Sequence, residues 1–288
     1  MSEHPRPEQE DSLEGLVVRA QAGDRPALEA VIRAVQGNVY RLALRFLWHP
    51  QDAEDASQEI LVRILTGLGS FRGESRFRTW AYRVACNTLL TLRKQRMERQ
   101  ALSFEQMGED LTRGLSDAPL SVEPEVDHAL LLEEVKIGCT LAMLLCLDRG
   151  QRLAYILGEI MEVDHQEAAA VLEITPAAFR KRLSRARARI TSFMKSHCGL
   201  VNPGNACRCR KRVTTAVALG RVEPSRLLFA SSLAHARAFP GVVGEIRRLE
   251  EARRAAALYR SHPAAQPAAS FNTWLRHLLD HRPEIGPG

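Results

Sequence analysis

The most informative segment of the chain is DAEDASQEILVRILTGLGSFRGESRFRTWAYRVACNTLLTLRKQR, residues Asp52 to Arg96. It joins an acidic helix start, a polar loop rich in glycine and serine, and a basic helix with aromatic residues. In that helix the residues Phe77, Trp80, Ala81, Val84, Ala85, Thr88 and Leu92 recur with the period of one buried helical stripe. The same period predicts that Arg83, Cys86, Leu90 and Arg93 face away from it. Trp80 is therefore predicted to be a core residue rather than a platform for a ligand.

Helical patterns continue on both sides of this stretch. Upstream, Asp24 and Pro26 mark the start of a helix whose apolar face runs toward the break at His49 and Pro50. We predict an all-α protein with two small helical domains, an acidic linker and a helical C-terminal extension. The predicted boundaries are a disordered N-terminus at 1–11, a first domain at 12–99, a linker at 100–126, a second domain at 127–197 and an extension at 198–288.

Charge is distributed unevenly along the 288 residues, although the net charge is only +6. Residues 98–134 hold ten acidic and two basic side chains, whereas residues 174–222 hold twelve Lys or Arg and no acid. The second distribution suits a polyanion, of which nucleic acid is the commonest. The polar, acidic N-terminus is not a signal peptide, and the longest apolar run is too short for a bilayer. With cysteines that do not alternate with turns, a reducing cytosol and no membrane association are expected.

The loop after the acidic helix carries arginines interleaved with phenylalanines, which suits single-stranded nucleic acid because phosphates take the charge and bases stack on rings. It lacks the Gly-Lys pair and the strand of a nucleotide-phosphate loop. For the acids before it, two interpretations stay open, namely helix capping and binding to a partner. No pocket motif for acid–base catalysis accompanies them.

A second motif, DHQEAAAVLEITPAAFRKRLSRARARITSFM, predicts a helix-turn-helix. Gln166 to Leu172 form its first helix, Thr175 caps the second, and Pro176 occupies the first turn of the second. Phe179, Leu183, Ala186 and Ile190 recur with helical spacing and are predicted to pack inward. The outward residues are Arg180, Lys181, Ser184, Arg185 and Arg187. Because no acidic residues accompany these outward side chains, we interpret them as DNA contacts in a major groove.

The segment from Leu13 to Arg99, with the DAED-x-x-QE and FRGES motifs, closely resembles bacterial RNA polymerase sigma factors of the extracytoplasmic-function (ECF) group of the sigma-70 family. The helix-turn-helix resembles the minus-35 reading helix of that family, with Phe179 and Arg180 in place of the usual valine and lysine. The resemblance implies a non-enzymatic initiation factor that works with core RNA polymerase and promoter DNA, and for which an anti-sigma factor is a further candidate partner.

The resemblance also implies roles for individual residues. Docking to the clamp of the largest polymerase subunit is implied for Asp52, Asp55, Gln58 and Glu59, while the second domain would meet the flap region of the second-largest subunit. Opening of the minus-10 element is implied for Ser70, Phe71, Arg72, Ser75, Arg76, Arg83 and Asn87. Minus-35 recognition is implied for the outward residues of the second helix-turn-helix helix.

The extension opens with HCGLVNPGNACRCRKR, in which His197, Cys198, Cys207 and Cys209 could complete a tetrahedral zinc site. Redox sensing and purely structural cysteines are the alternatives, and Cys139 and Cys146 are predicted to be core residues. Further on, Ile246, Leu249, Ala252, Ala256 and Tyr259 predict one amphipathic helix, and Phe271, Trp274, Leu275, Leu278 and Leu279 another. An autoregulatory role of this extension is our hypothesis.

The overall prediction is a promoter-specific sigma subunit that requires no cofactor, although zinc could bind the cysteines. The main alternative is a stand-alone helix-turn-helix regulator, which would use only residues 127–197. That alternative leaves the stretch from Asp52 to Arg96 unexplained. A metal-dependent nucleic-acid enzyme is a third candidate, but no HxE–PCxxC pattern is present.

Overall fold

The computed structural model describes residues 12–92, 102–117 and 126–280, and all regular elements named within them are helical. The thirteen α-helices of these residues are α1 (Leu13–Gln21), α2 (Arg25–Leu47), α3 (Pro50–Gly67), α4 (Phe77–Thr91), α5 (Phe104–Arg113), α6 (His128–Leu145), α7 (Arg149–Tyr155), α8 (His165–Val171), α9 (Pro176–His197), α10 (Cys209–Ala218), α11 (Leu233–Arg248), α12 (Glu251–Arg260) and α13 (Ala269–Asp280). The all-α prediction is confirmed. The predicted disordered N-terminus, 1–11, lies outside the described residues.

The first four helices form a bundle around α2 and α3. As predicted, the Asp24 side chain caps α2 by accepting a hydrogen bond from Ala27 N at 3.1 Å, and a proline lies in the first turn. α2 ends at Leu47 because Trp48 adopts a positive φ of 75° and leaves the helical path. His49 is extended before Pro50, so α3 begins at Pro50, two residues before the predicted start at Asp52.

Helix α4 buries more of its surface than its periodicity predicts. Phe77, Ala81 and Ala85 are buried as expected, and Trp80 is half-buried. Cys86 was predicted to face outward, but it is fully buried. The reason is that α8 packs against α4, so a second side of α4 is covered by the second domain.

Part of the predicted acidic linker is a helix. Ser103 and Gln106 form a capping box at the start of α5, where each side chain satisfies the backbone N–H of the other residue. Met107 and Leu111 of α5 are buried, and the Phe104 ring lies 5.1 Å from the Phe193 ring of α9. The segments 93–101 and 118–125 on either side lie outside the described residues.

Helices α6 to α9 build the second domain, with the predicted helix-turn-helix at its end. Between α8 and α9, Glu173 has a φ of 53°, and the Thr175 hydroxyl caps α9 by accepting from Ala178 N at 3.2 Å. The predicted inward stripe of α9 is confirmed, since Phe179, Leu183, Ala186 and Ile190 are all buried. A π-helical turn, Ile156–Ile160, lies between α7 and α8.

Two arginines of α7 fasten the second domain to the first. The Arg149 guanidinium donates to the carbonyl oxygens of Leu89, Leu90 and Leu92, at 3.3, 2.9 and 2.7 Å, and so satisfies the C-terminal end of α4. Arg152 is almost fully buried and donates to Phe46 O, at the end of α2, at 2.8 Å. The two domains therefore form one closed body, with a buried guanidinium between them.

The extension wraps around the second domain. The Glu134 carboxylate of α6 accepts hydrogen bonds at 2.8 Å from the backbone N–H groups of Leu228, Phe229 and Ala230. The prediction of one helix from Ile246 to Tyr259 is wrong, because the backbone is extended at Leu249 and Glu250 and divides it into α11 and α12. The helix predicted around Phe271 is present as α13, with Phe271, Leu275 and Leu279 buried.

Among the described residues, no helix combines the length and the apolar character needed to cross a bilayer.

Candidate polymerase and DNA interface

Asp52 lies in the first turn of α3, and the other acidic residues of the helix follow that turn. His49 is the N-cap, and its Nδ1 accepts from Gln51 N at 3.2 Å. Asp55 is exposed, while Asp52, Gln58 and Glu59 are half-exposed. Asp55 and Glu59 stand one and two turns into the helix, beyond the free N–H groups, so capping does not explain them. Glu59 forms an i,i+4 ion pair with Arg63 at 2.7 Å.

The other side of α3 meets the last helix of the extension. Ala268 N, just before α13, donates to Glu54 Oε1 at 2.8 Å. Asp280, at the end of α13, pairs with Arg25 of α2 at 2.6 Å. The extension thus borders the acidic face of α3 and leaves Asp55 exposed.

The Gln21 side chain of α1 and an aromatic cluster fix the loop between α3 and α4. Gln21 Nε2 donates to Leu68 O at 2.9 Å and to Phe71 O at 2.8 Å. Phe71 packs with Phe77 and Trp80, with ring centroids 5.4–5.6 Å apart. Phe71 therefore belongs to an aromatic cluster in this structure and is half-buried. Of the other minus-10 candidates in this loop, Ser70, Arg72 and Arg76 are exposed and Ser75 is half-buried.

Helix α8 and the turn after it contact α4, the helix that carries the minus-10 candidates Arg83 and Asn87. Asn87 Nδ2 donates to Glu173 Oε2 at 3.0 Å, and Thr79 Oγ1 donates to Glu167 Oε1 at 2.6 Å. Arg83 Nε is buried and has no hydrogen-bond partner among the described residues. No local sequence pattern indicates Thr79, Glu167 or Glu173, because contacts between two domains depend on residues far apart in the chain.

The outward face of α9 is open. Arg180, Lys181, Ser184, Arg185 and Arg187 are all exposed. Arg187 pairs with Glu159 of the π-helical turn, while no carboxylate among the described residues pairs with Arg180, Lys181 or Arg185. A row of unneutralised cations on a helix that follows a helix-turn-helix turn is suited to phosphates and base edges.

The cysteines of the extension meet a cysteine of α6. Cys198 and Cys207 pair through their backbones, with Gly199 N donating to Cys207 O at 3.1 Å. Together with Cys209 and Cys139 they line a cavity of about 900 Å³. All of them are free thiols, and burial raises the pKa of Cys207 to about 11 and of Cys209 to about 12.

His197, which the sequence suggested as a fourth ligand, does not line this cavity. Its ring stacks on Phe193 at 4.5 Å, and its Nδ1 lies 3.1 Å from Phe193 O. In the described part of the chain, no three His, Cys, Asp or Glu side chains stand together in a metal-binding arrangement. Cys139 was predicted to be a core residue, and the apolar helix around it contains no signal for its position beside the other thiols.

Two family models match the chain, sigma-70 region 2 at residues 31–99 and sigma-70 region 4 at residues 137–190. The RNA polymerase sigma-H factor of Pseudomonas aeruginosa is 30% identical over 182 residues, which are 62% of this chain and 92% of that protein. This chain belongs to the sigma-70 family of RNA polymerase sigma factors. It falls in the ECF group, and it is a promoter-specific initiation factor that binds core RNA polymerase and recognises and melts promoter DNA.

Other similar proteins are also sigma factors. The sigma factor CnrH of Cupriavidus metallidurans is 31% identical over 189 residues, 64% of this sigma factor and 95% of CnrH. The ECF sigma-E factor of Escherichia coli K12 is 29% identical over 175 residues, 61% of this chain and 90% of its own. A structure of CnrH in complex with the cytosolic domain of CnrY aligns with a TM-score of 0.43 and 25% identity, over 62% of this chain and 95% of that one.

Proposed function

We propose that this sigma factor engages its partners through three surfaces of the described structure. The acidic face of α3, with Asp52, Asp55, Gln58 and Glu59, docks on the clamp of the largest polymerase subunit. The loop before α4, together with α4, opens the minus-10 element, and α9 reads the minus-35 element while its domain meets the polymerase flap. The observation that carries this assignment is the open basic face of α9 in the same chain as an exposed acid on α3.

Energetics require the polymerase as a partner. Separating stacked DNA costs on average about 1.4 kcal/mol per base-pair step, whereas one base stacked on an aromatic side chain returns about 1–3 kcal/mol. A few aromatic contacts in one loop can hold a melted strand but cannot open a long duplex alone. We propose that the sigma factor is a non-catalytic subunit of the polymerase. It would act in the cytoplasm, where core polymerase transcribes.

We further propose that the described arrangement is a closed resting form. Asn87 of α4 is bonded to Glu173 in the turn after α8, and Thr79 is bonded to Glu167 of α8, so both side chains are already engaged while the two domains are packed. The extension reinforces closure because it contacts α6 in the second domain and α2 and α3 in the first. Opening on the polymerase would free both DNA-binding surfaces. An anti-sigma factor stays a prediction from the family resemblance.

Run-off transcription with core polymerase and a library of promoter fragments tests the proposed function. Transcript should appear only when the sigma factor, core polymerase and DNA are all present. Charge reversal of Asp55 and Glu59 to lysine should abolish core binding, while circular dichroism stays helical. Reversal of Glu29 to lysine, an α2 carboxylate that pairs with Arg33 and belongs to no proposed surface, serves as the matched control. Specific binding to promoter DNA without core polymerase would instead support a stand-alone regulator.

A further inference from the structure

A small cavity lies between α2, α6 and two loops of the extension, one before α11 and one after α12. Its volume is about 180 Å³. Engineered protein cavities of about 150 Å³ hold a benzene molecule, so the space suits a compound of that size. The exposed residues Ser231 and Gln266 line it, which opens it to solvent. Its apolar part is formed by the buried side chains Leu44, Ile137 and Leu141.

The polar part of the cavity carries positive charge. Arg41 and Arg45, one helical turn apart on α2, both line it, whereas no Asp or Glu is among its lining residues. Burial, together with the charge of Arg41, lowers the pKa of Arg45 to about 10, so the guanidinium is still charged at neutral pH. The third titratable lining residue of this kind, His262, is neutral, because burial holds its pKa well below the usual value.

The two guanidinium groups have unused hydrogen-bond donors. Arg41 donates to the side chain of Asn38, and Arg45 donates to Arg41 O at 3.5 Å. Neither guanidinium forms an ion pair with a carboxylate of the described residues. Like charges held close together in a half-buried site repel each other, and an anion beside them would compensate both charges.

Tyr40 adds a buried neutral donor to the same cavity. The residue is only 3% exposed, and its hydroxyl has no hydrogen-bond partner among the described residues. Buried tyrosine hydroxyls usually have such a partner. Burial and the charge of Glu54 raise the pKa of Tyr40 to about 12, so the hydroxyl keeps its proton and can donate.

We propose that this cavity binds a small oxyanion, the phosphate or carboxylate group of a compound with a short carbon chain. Arg41 and Arg45 pair with its oxygen atoms, because a guanidinium presents two parallel N–H groups to either kind of oxyanion. The Tyr40 hydroxyl donates a further hydrogen bond, and the apolar residues contact the carbon chain. The binding is independent of the proposed function, whereas its effect on transcription rests on that function.

The walls of the cavity come from three parts of the chain. Arg41 and Arg45 belong to the first domain, α6 belongs to the second, and Ser231 and Gln266 belong to the extension. A ligand that contacts all three binds the closed form better than an open form, so it shifts the population toward the closed form. The oxyanion thereby acts as an effector that keeps the sigma factor in its resting form.

Isothermal titration calorimetry of the full chain tests the site and the kind of oxyanion. The probes are inorganic phosphate, propyl phosphate and butyrate, with 1-butanol as the uncharged control and chloride to keep the ionic strength constant. We expect saturable binding of propyl phosphate or butyrate at one molecule per chain, and none of 1-butanol. The tighter of the two identifies the head group. Inorganic phosphate should bind more weakly than propyl phosphate, because it makes no apolar contact.

Three substitutions on α2 test the residues of the site. Arg45→Gln should weaken binding about tenfold or more, because a hydrogen bond to a charged group contributes about 1.5–3 kcal/mol. Tyr40→Phe removes a neutral donor and should weaken binding about two- to tenfold. Arg33→Gln is the matched control and should change nothing, since Arg33 is exposed, pairs with Glu29 and does not line the cavity. Circular dichroism verifies that each variant is helical.

Hydrogen exchange on the wild-type chain gives a second measurement that needs no variant. The ligand should slow amide exchange in residues 228–231 and 262–266, read by mass spectrometry of the peptides, and leave the turn at 172–175 unchanged. Absence of saturable binding, or equal affinities of Arg45→Gln and the wild-type chain, would overturn the proposal. Because polymerase is absent from these assays, a failure here is distinct from a failure of run-off transcription.

The effector role has its own test. The ligand should reduce binding of core polymerase to the wild-type chain and to Arg33→Gln, and it should have a weaker effect on Arg45→Gln at the same concentration. An equal reduction in all three proteins would show that the ligand acts on the polymerase, which would overturn the effector role.

Discussion

Arg185 is the residue at which the proposed minus-35 contact is most directly tested. It is exposed on α9, and no carboxylate among the described residues pairs with it. A phosphate contact releases counterions, so Arg185→Ala should weaken promoter binding and reduce the slope of log affinity against log salt by about one. Fluorescence anisotropy of the polymerase–sigma complex with labelled promoter DNA at several salt concentrations measures this slope.

Lys195 is the matched control for this substitution, because it lies on the same helix but pairs with Glu251 of α12 at 2.9 Å. Lys195→Ala should leave the salt slope unchanged. An unchanged slope in Arg185→Ala would remove that residue from the DNA-binding surface.

The positions of some single residues could be predicted from the sequence, and those of others could not. The inward stripe of α9 and the Asp24 and Thr175 caps were predictable, because helical period and capping are local properties of the chain. The burial of Cys86 and the position of Cys139 were not, because α4 also packs against the distant α8, and Cys139 lines a cavity together with Cys198, Cys207 and Cys209 from far along the chain. Periodicity tells which helix face is apolar, but not which element covers the other faces.

At the scale of elements, the contact between α4 and α8 should control access to the minus-10 surface. The Asn87–Glu173 hydrogen bond is exposed, so its net contribution is about 0.5–1 kcal/mol. Glu173→Ala should therefore raise affinity for a single-stranded minus-10 oligonucleotide roughly two- to fivefold. Anisotropy of a labelled oligonucleotide from a promoter found by run-off transcription measures the change.

Glu162→Ala is a suitable control for this experiment. Glu162 has the same positive φ of 53° as Glu173, so both substitutions act on a similar backbone, but it pairs with Arg260 and not with α4, and the Glu162→Ala, Arg260→Ala double variant separates the backbone effect from the loss of that ion pair. Equal effects of the two substitutions would show that backbone strain, rather than contact with α4, explains the change.

Elements differ in how well the sequence predicts them. Helix α5 carries its own signal in the Ser103–Gln106 capping box, yet the acids and glycines around it favoured a linker. The division between α11 and α12 at Leu249 has no comparable signal, because the apolar period continues across it. The helix-turn-helix was predictable in detail, since its turn residues and caps follow each other within one short segment.

The closed form of the molecule depends on the docking of the extension, and a half-buried histidine gives that docking a pH dependence. His262 follows α12, and its Nε2 lies 2.9 Å from Thr140 Oγ1 of α6. Its neighbours include Tyr259, whose hydroxyl donates to Thr140 O at 2.8 Å, and the side chains of Lys136, Arg45 and His235. Burial, reinforced by the positive charges of Lys136 and Arg45, holds the pKa of His262 well below 6.5.

Because the folded state resists protonation of His262, acid should destabilise the closed form. Above the unfolded-state pKa of 6.5 neither state is protonated, and below it only the unfolded state gains the proton. Between pH 7.5 and 5.5 this one group should therefore lower the free energy of unfolding by about 1.4 kcal/mol. In His262→Gln, which keeps a polar partner for Thr140, the loss should be smaller by that amount. Urea unfolding of both proteins at the two pH values measures it, and equal losses would show that His262 is protonated in the folded chain.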